Sequence, residues 1–107
     1  MSQATQRELR LPAAPRAQTV ELLFRVFGDL LVPVERLRAQ YFAKLNDDNF
    51  TRALRELRVP LPVTKLDASA KGTKFVDIRH LAVLIDTQAD AADAELAEKI
   101  CPPEQEE

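Results

Sequence analysis

Glycine and cysteine are scarce in this chain of 107 residues, which has two glycines, one cysteine and no tryptophan. A single cysteine, Cys101, excludes an intramolecular disulfide and is typical of a protein from a reducing compartment. No apolar run approaches the roughly 20 residues that cross a bilayer, and residues 1–18 hold no apolar run of signal-peptide length. These absences predict a cytoplasmic protein without a membrane partner.

The chain also lacks the residue sets that catalysis and metal binding need. Its one histidine, His80, has no neighbouring ligands in the sequence and is expected on the surface. The run Asn46-Asp47-Asp48-Asn49 lacks the central glycine and closing glutamate of a calcium loop. Lys71-Gly72-Thr73 lacks the first glycine of a phosphate-binding loop. We therefore expect no enzymatic activity, no metal, no cofactor and no small-molecule substrate.

Charge is unevenly distributed along the chain, although the formal net charge is only −2. Acidic and basic residues balance in residues 1–35, whereas residues 36–80 hold ten Lys and Arg against five Asp and Glu. Residues 81–107 hold one Lys against eight Asp and Glu. The middle of the chain therefore predicts a positive surface that suits a polyanion such as DNA, despite the overall pI of about 5.5.

The length fits one small domain, and its first part predicts an arm followed by a helix. Residues 1–18 contain prolines and show no periodicity, which predicts a mobile arm. Thr19 can cap a helix that Gly28 ends. The helical stripe would be Val20, Leu23, Phe24 and Phe27. A strand stays open as an alternative, because Val20, Leu22, Phe24 and Val26 alternate; the cap and the stop favour the helix.

Two short amphipathic helices are predicted next, after a small strand at Leu30 to Val32. Pro33 suits the start of the first helix, whose buried stripe would be Val34, Leu37, Tyr41, Phe42 and Leu45. Glu35, Arg36, Arg38 and Gln40 would face outward. Asn46 and Asp47 supply a turn and an N-cap for the second. Its buried stripe would be Phe50, Ala53, Leu54 and Leu57. Its outward face would carry Asp48, Thr51, Arg52 and Arg55, with Arg58 extending that face at the helix end.

A hairpin and a long helix complete the pattern. Residues 62–66 and 74–76 read as strands, joined by a loop at Asp67 to Thr73 that carries Lys71. Asp77 can cap a final helix whose apolar stripe is longer than a small core needs. That stripe is Ile78, Leu81, Ile85, Ala89, Ala92 and Leu96. Its excess length predicts that a second helix packs on it, which we expect to come from a partner in a homodimer.

This order of elements predicts an α+β fold that is mainly α: a winged helix-turn-helix with an N-terminal helix and a long C-terminal helix. The winged domain would span residues 19–92, and residues 93–107 would be the helix end and an acidic tail. Arginine can bind guanine bidentately in the major groove, and basic side chains hold phosphates. The candidate DNA-binding residues are therefore Arg36, Arg38, Asp48, Thr51, Arg52, Arg55, Arg58, Lys65, Lys71 and Lys74. The candidate dimerisation residues are Leu81, Ile85, Ala89, Ala92 and Leu96.

Several short segments also occur in a distinctive order between Thr19 and Ala92. They are Leu31-Val32-Pro33-Val34-Glu35, Tyr41-Phe42, Pro60-Leu61-Pro62-Val63, Ser69-Ala70-Lys71-Gly72, and Asp77 through Leu81-Ala82 with Ile85-Asp86. In this order and spacing they resemble the pyocin activator PrtN family of phage and bacteriocin regulators. The resemblance implies a transcriptional activator that binds a DNA element upstream of phage-tail or lysis genes. It also suggests recruitment of RNA polymerase, with residues 95–107 as a candidate contact surface.

The sequence departs from the family in its arm, residues 1–18, and in its arginine-rich second helix, so its DNA site need not be the family's site. Two other functions stay open. The fold could serve as a phage-encoded module that binds a host protein through the alanine-rich stripe and the acidic tail. It could also be an excisionase-like architectural DNA-binding protein, because the family looks similar to small excisionase and MerR-type winged helices.

Overall fold

A computed structural model describes residues 14–69 and 71–100, which form helices around a small sheet. The helices of this part are α1 (Ala17–Phe27), α2 (Val34–Tyr41), α3 (Asp47–Arg55) and α4 (Ile78–Ile100). The strands are β1 (Leu31–Pro33), β2 (Thr64–Lys65) and β3 (Lys74–Asp77). The predicted α+β class, mainly α, is confirmed.

The sheet is antiparallel and has the strand order β1-β3-β2. Val32 of β1 lies opposite Val76 of β3, and Thr64 of β2 lies opposite Phe75. The small strand predicted at Leu30 to Val32 is therefore present, one residue later, and pairs with the second strand of the hairpin. The first hairpin strand is shorter than residues 62–66, because Pro62 has no N–H to donate and the chain turns away after Lys65.

The first helix is an α-helix, so the alternative of a strand is wrong. It begins at Ala17, inside the expected arm 1–18, and Thr19 does not cap it. The Thr19 hydroxyl donates instead to Asp86 Oδ1 of α4, at 2.7 Å. Gly28 ends the helix as predicted, with φ +78° and its N–H donating to the Phe24 carbonyl at 2.7 Å. The rest of the expected arm, residues 1–13, lies outside the described residues.

Side chains from every helix and from β1 and β3 form one core. Its buried apolar members are Leu23, Phe27, Val32, Leu37, Phe50, Ala53, Leu54, Val59, Leu61, Val76, Ile78, Leu81 and Ala82. Three residues expected in it are not buried: Phe24 is 51% exposed, Tyr41 46% and Leu57 69%. Phe24 lies at the edge of the α1 stripe, and Tyr41 meets the Phe27 ring only edge-on, at 6.0 Å between centroids.

Leu57 is exposed because α3 ends at Arg55, earlier than the apolar spacing predicts. Leu57 has φ +63°, and its N–H donates to the Leu54 carbonyl at 3.3 Å. The Arg58 N–H donates to the Ala53 carbonyl at 3.0 Å. This pair of bonds is a Schellman motif, in which glycine usually takes the left-handed position. The turn directs Leu57 outward and returns the chain to the core at Val59.

The last helix packs on the core only through its first turns. Asp77 caps it as predicted, since Asp77 Oδ1 accepts the Arg79 N–H at 2.8 Å. Leu81, one of the predicted dimerisation residues, is 2% exposed and packs in the core of its own chain. Ile85 is partly buried, whereas residues 87–100 are all exposed. No helix of the described part is long and apolar enough to cross a membrane.

Candidate nucleic-acid interface

A groove runs between α3 and the β2–β3 hairpin. Its first part, of about 300 Å³, is lined by Pro33, Val34, Glu35, Arg38, Asp47, Phe50, Thr51, Gly72, Thr73 and Lys74. Its second part, of about 270 Å³, is lined by Val34, Thr51, Leu54, Arg55, Val63 and Lys74. Because Val34, Thr51 and Lys74 line both parts, we treat them as one feature, the α3–hairpin groove. The tertiary structure thus brings Thr51 and Arg55 beside Lys74.

The outward face of α3 is the one that the sequence predicts. Its N-cap is Asn46, whose Oδ1 accepts the Asn49 N–H at 2.8 Å. The helix buries Phe50, Ala53 and Leu54. Burial of this stripe turns the opposite face to solvent, and the exposed residues there are Asp48, Thr51, Arg52 and Arg55.

Arg58 does not extend this face, which corrects the sequence-based prediction. The left-handed residue Leu57 lies between the helix and Arg58, and redirects the chain. The Arg58 guanidinium pairs with Glu56 Oε1 at 3.1 Å, where both side chains are exposed. Such an exposed pair stabilises the fold little, and another anion can easily replace the Glu56 carboxylate.

Five of the predicted DNA-binding cations are exposed and pair with no carboxylate within residues 14–69 and 71–100. They are Arg52, Arg55, Lys65, Lys71 and Lys74. Lys44, which the sequence analysis counted in the charge but did not select, has the same property and lies in the turn between α2 and α3. The position of Lys44 between the two predicted helices is the feature of the sequence that could have identified it as a candidate. Phosphates can bind these groups without first displacing an acidic partner.

Arg36 makes contacts within the fold. Its guanidinium donates to the Phe27 carbonyl at 2.7 Å and to the Val26 carbonyl at 3.2 Å. These carbonyls end α1 and have no partner further along that helix. The same guanidinium lies 5.1 Å from the centre of the Phe27 ring. Arg36 therefore joins α2 to the end of α1, rather than simply facing outward as the sequence pattern predicts.

Arg38 is also held within the fold and is only 20% exposed. It donates to the Leu45 carbonyl at 2.7 Å and to Glu35 Oε2 at 3.0 Å, and its Nε lies 2.9 Å from Asp47 Oδ1. The bond from Arg38 lowers the pKa of Glu35. The Glu35 carboxylate beside Asp47 raises the pKa of Asp47, and Arg38 partly offsets this. Arg38 thus fixes the turn between α2 and α3, and the expectation that it faces outward is wrong.

The loop of the hairpin is tightly built. Asp67 Oδ1 accepts the Ser69 N–H at 3.1 Å, and the Gly72 N–H donates to the Ser69 carbonyl at 3.0 Å. A Cβ on Gly72 would lie 2.8 Å from the Asp67 carbonyl oxygen, so a larger residue requires the backbone to shift. This loop places Gly72, Thr73 and Lys74 on the lining of the groove, and the exposed Lys71 directly precedes them in the chain.

The described residues contain no group of three His, Cys, Asp or Glu that could hold a metal ion. His80 is exposed, as expected. Together with Leu84 of α4 it lines one side of an apolar cavity of about 330 Å³, and Pro60 and Pro62 also line this cavity.

Comparison with known proteins gave one finding about the family. A family model described as "Pyocin activator protein PrtN" matches residues 19–92. The matched span contains the whole sheet, α2, α3 and the packed part of α4. No curated protein and no solved structure matched the chain.

Proposed function

The chain belongs to the pyocin activator PrtN family, and we propose that it activates transcription of phage or bacteriocin genes by binding double-stranded DNA sequence-specifically. The family's description supports the regulatory role. The order of the elements and the sheet support a winged helix-turn-helix, in which α2 and α3 are the motif and the β2–β3 hairpin is the wing.

The observation that carries this proposal is the α3–hairpin groove. On one side it has Thr51 and Arg55 of α3, and on the other Lys74 of β3. Helix-turn-helix proteins place the second helix of the motif in the major groove, with its first residues against the base edges. In that placement, the hairpin contacts the phosphate backbone of DNA beside the major groove.

The roles of the side chains follow from their chemistry. Arg52 and Arg55 each carry a fork of N–H donors that matches the O6 and N7 acceptors of guanine, and the Asp48 carboxylate can accept from the N4 amine of cytosine. Lys65, Lys71 and Lys74 carry compact charges that bind phosphates without reading sequence. We thus assign specificity to α3, and most of the affinity to the hairpin.

The experiment is selection of bound sequences from a pool of random DNA duplexes, at two salt concentrations. We expect one enriched motif with the wild-type chain, which the variant Arg52→Ala with Arg55→Ala loses. We also expect an affinity that falls steeply with salt, because each phosphate contact releases counterions. Arg25→Ala is the matched control, since Arg25 is an exposed arginine paired with Glu21 on α1.

The other outcomes have defined meanings. Salt-dependent binding without an enriched motif would indicate an architectural DNA-binding protein instead of a sequence-specific activator. Absence of binding at both salt concentrations would overturn the proposal and favour a module that binds a host protein.

A further inference from the structure

Residues 87–100 form the second half of α4, which we call the α4 extension; all of these residues are exposed. Leu96 is 56% exposed and Ile100 66%. Together with Ala89 and Ala92 they recur at spacings of three and four residues, which places them on one face of the helix. This stripe continues the face through which Leu81 packs on the core. Within residues 14–69 and 71–100, no side chain covers this stripe, since its members from Ala89 onward are all exposed.

We propose that the α4 extensions of two copies of this chain pair antiparallel, with Leu96 packed against the partner's Leu96 at the two-fold axis. The sizes of the side chains fit this register. With Leu96 at the axis, Ala92 of one copy lies opposite the partner's Ile100, so a small residue faces a large one. A symmetric pair makes this contact twice.

Charge favours the same direction. The extension holds Asp90, Asp93, Glu95 and Glu98 against one base, Lys99. In a parallel pair, each acidic residue would lie at the same height as the identical residue of the partner, so like charges would face each other. In the antiparallel pair Lys99 lies beside the partner's Glu95 on one edge.

Within one chain, Lys99 Nζ lies 3.7 Å from Glu95 Oε2, and both side chains are 71% exposed. The ammonium group can therefore bind both carboxylates at once. On the other edge, Ala97 lies beside the partner's Ala97, which keeps the remaining acidic residues apart. On the first edge the same geometry brings Glu95 beside the partner's Glu95. The two Lys99 side chains, one at each end of this acidic pair, offset its charge.

The size of the contact sets its strength. Fourteen helical residues are about 21 Å long, and two such helices bury less than the roughly 1,200 Å² at which standard interfaces begin. We therefore expect a dimer in the micromolar range, which tightens when both copies bind one DNA molecule. A two-fold pair would read two inverted half-sites.

Cross-linking of single cysteines tests the register, using the full chain with Cys101→Ser as background. Under mild oxidation, Leu96→Cys should give a disulfide-linked species of twice the chain mass of 12.0 kDa. Ala94→Cys, on the opposite face, is the matched control and should give no disulfide-linked species. Ala92→Cys should not link to itself but should link to Ile100→Cys when the two proteins are mixed.

Mixing of charge variants tests the pairing without cysteines. Lys99→Glu alone and Glu95→Lys alone should each weaken dimerisation about fivefold by sedimentation, since each replaces two opposite-charge edge pairs with like-charge pairs. An equimolar mixture of the two should recover the dimer, because every edge then pairs opposite charges. The α4 helix content of each variant, from circular dichroism, controls for folding.

The other possible results each have one interpretation. Self-linking of Ala92→Cys would overturn the antiparallel register in favour of a parallel one. A dimer by sedimentation in which Leu96→Cys does not cross-link would place the interface elsewhere. A monomer at all concentrations without DNA, together with no cross-link of Leu96→Cys on DNA, would overturn the pairing altogether. Cross-linking and sedimentation of the free protein need no DNA, so the pairing and the proposed function can fail independently.

Discussion

The guanidinium of Arg36 lies against Phe27, 5.1 Å from the centre of its ring, and one of its N–H groups donates to the carbonyl of the same residue at 2.7 Å. One arginine thus covers the end of α1 and fixes the position of α2 against it. Lys74 has the opposite character, since it is exposed on the groove and pairs with no carboxylate in the described part of the chain.

The difference between these two cations predicts different effects of removing them. Arg36→Ala should lower the free energy of unfolding by about 1–2 kcal/mol, because two carbonyls lose a charged donor. It should leave the salt dependence of DNA binding unchanged. Lys74→Ala should leave stability within about 0.5 kcal/mol and reduce the slope of log affinity against log salt by about one. Denaturant unfolding and binding titrations measure the two effects; a reduced salt slope for Arg36→Ala would show that it contacts DNA.

The two glycines predict a second contrast. Gly72→Ala places a Cβ 2.8 Å from the Asp67 carbonyl oxygen, so the hairpin loop must shift and DNA affinity should fall. Gly28→Ala meets no atom within 4 Å but keeps φ at +78°, so it should cost about 1 kcal/mol of stability and spare DNA binding. Each variant is the control for the other. If Gly72→Ala and Gly28→Ala lost the same DNA affinity when compared at the same fraction of folded protein, the role given to the loop would be contradicted.

Leu57 offers a stabilising substitution. Its φ of +63° is costly for leucine and free for glycine, and its side chain is 69% exposed. Leu57→Gly should therefore raise the free energy of unfolding by about 0.5–1 kcal/mol, after the greater entropy of glycine in the unfolded chain is subtracted. Leu57→Ala is the control, because it removes the side chain and keeps the strain. Urea unfolding would contradict this account if the alanine variant gained as much as the glycine variant.

Asp77 predicts how stability depends on pH. Arg79 lowers the pKa of this buried carboxyl by hydrogen bonds from its guanidinium and its backbone N–H. A lowered folded-state pKa gives stability that is complete above the unfolded value of about 3.9 and is lost as pH falls through the folded value. Asp77→Asn keeps an oxygen that can cap the helix but loses the charged hydrogen bonds from the Arg79 guanidinium. It should cost about 1 kcal/mol at pH 7 and reduce the loss of stability below about pH 4. Asp48→Asn, at an exposed carboxylate, should cost only a few tenths, as unfolding at several pH values will show.

Local patterns accounted for much of the fold. Asn46, Gly28 and Asp77 form the caps and the stop that their residue types predict, because each makes its decisive hydrogen bond within a few residues. The charge excess of residues 36–80 likewise predicted which part of the chain would carry the unpaired cations. Both signals depend only on composition and short spacing, and so can be read without knowing the fold.

The sequence by itself determined the fold class, the helical caps, the outward face of α3 and the projecting stripe of α4, since spacing and residue chemistry fix these. Only the tertiary structure decided that Arg36 and Arg38 bind carbonyls and carboxylates of the fold, because a long guanidinium side chain finds partners that distant segments supply. It also decided that Leu57 leaves the core, since the left-handed turn there is set by the return of Val59 and Leu61 to the core. The groove that places Thr51 beside Lys74 depends on the packing of α3 against the sheet, which no local pattern contains.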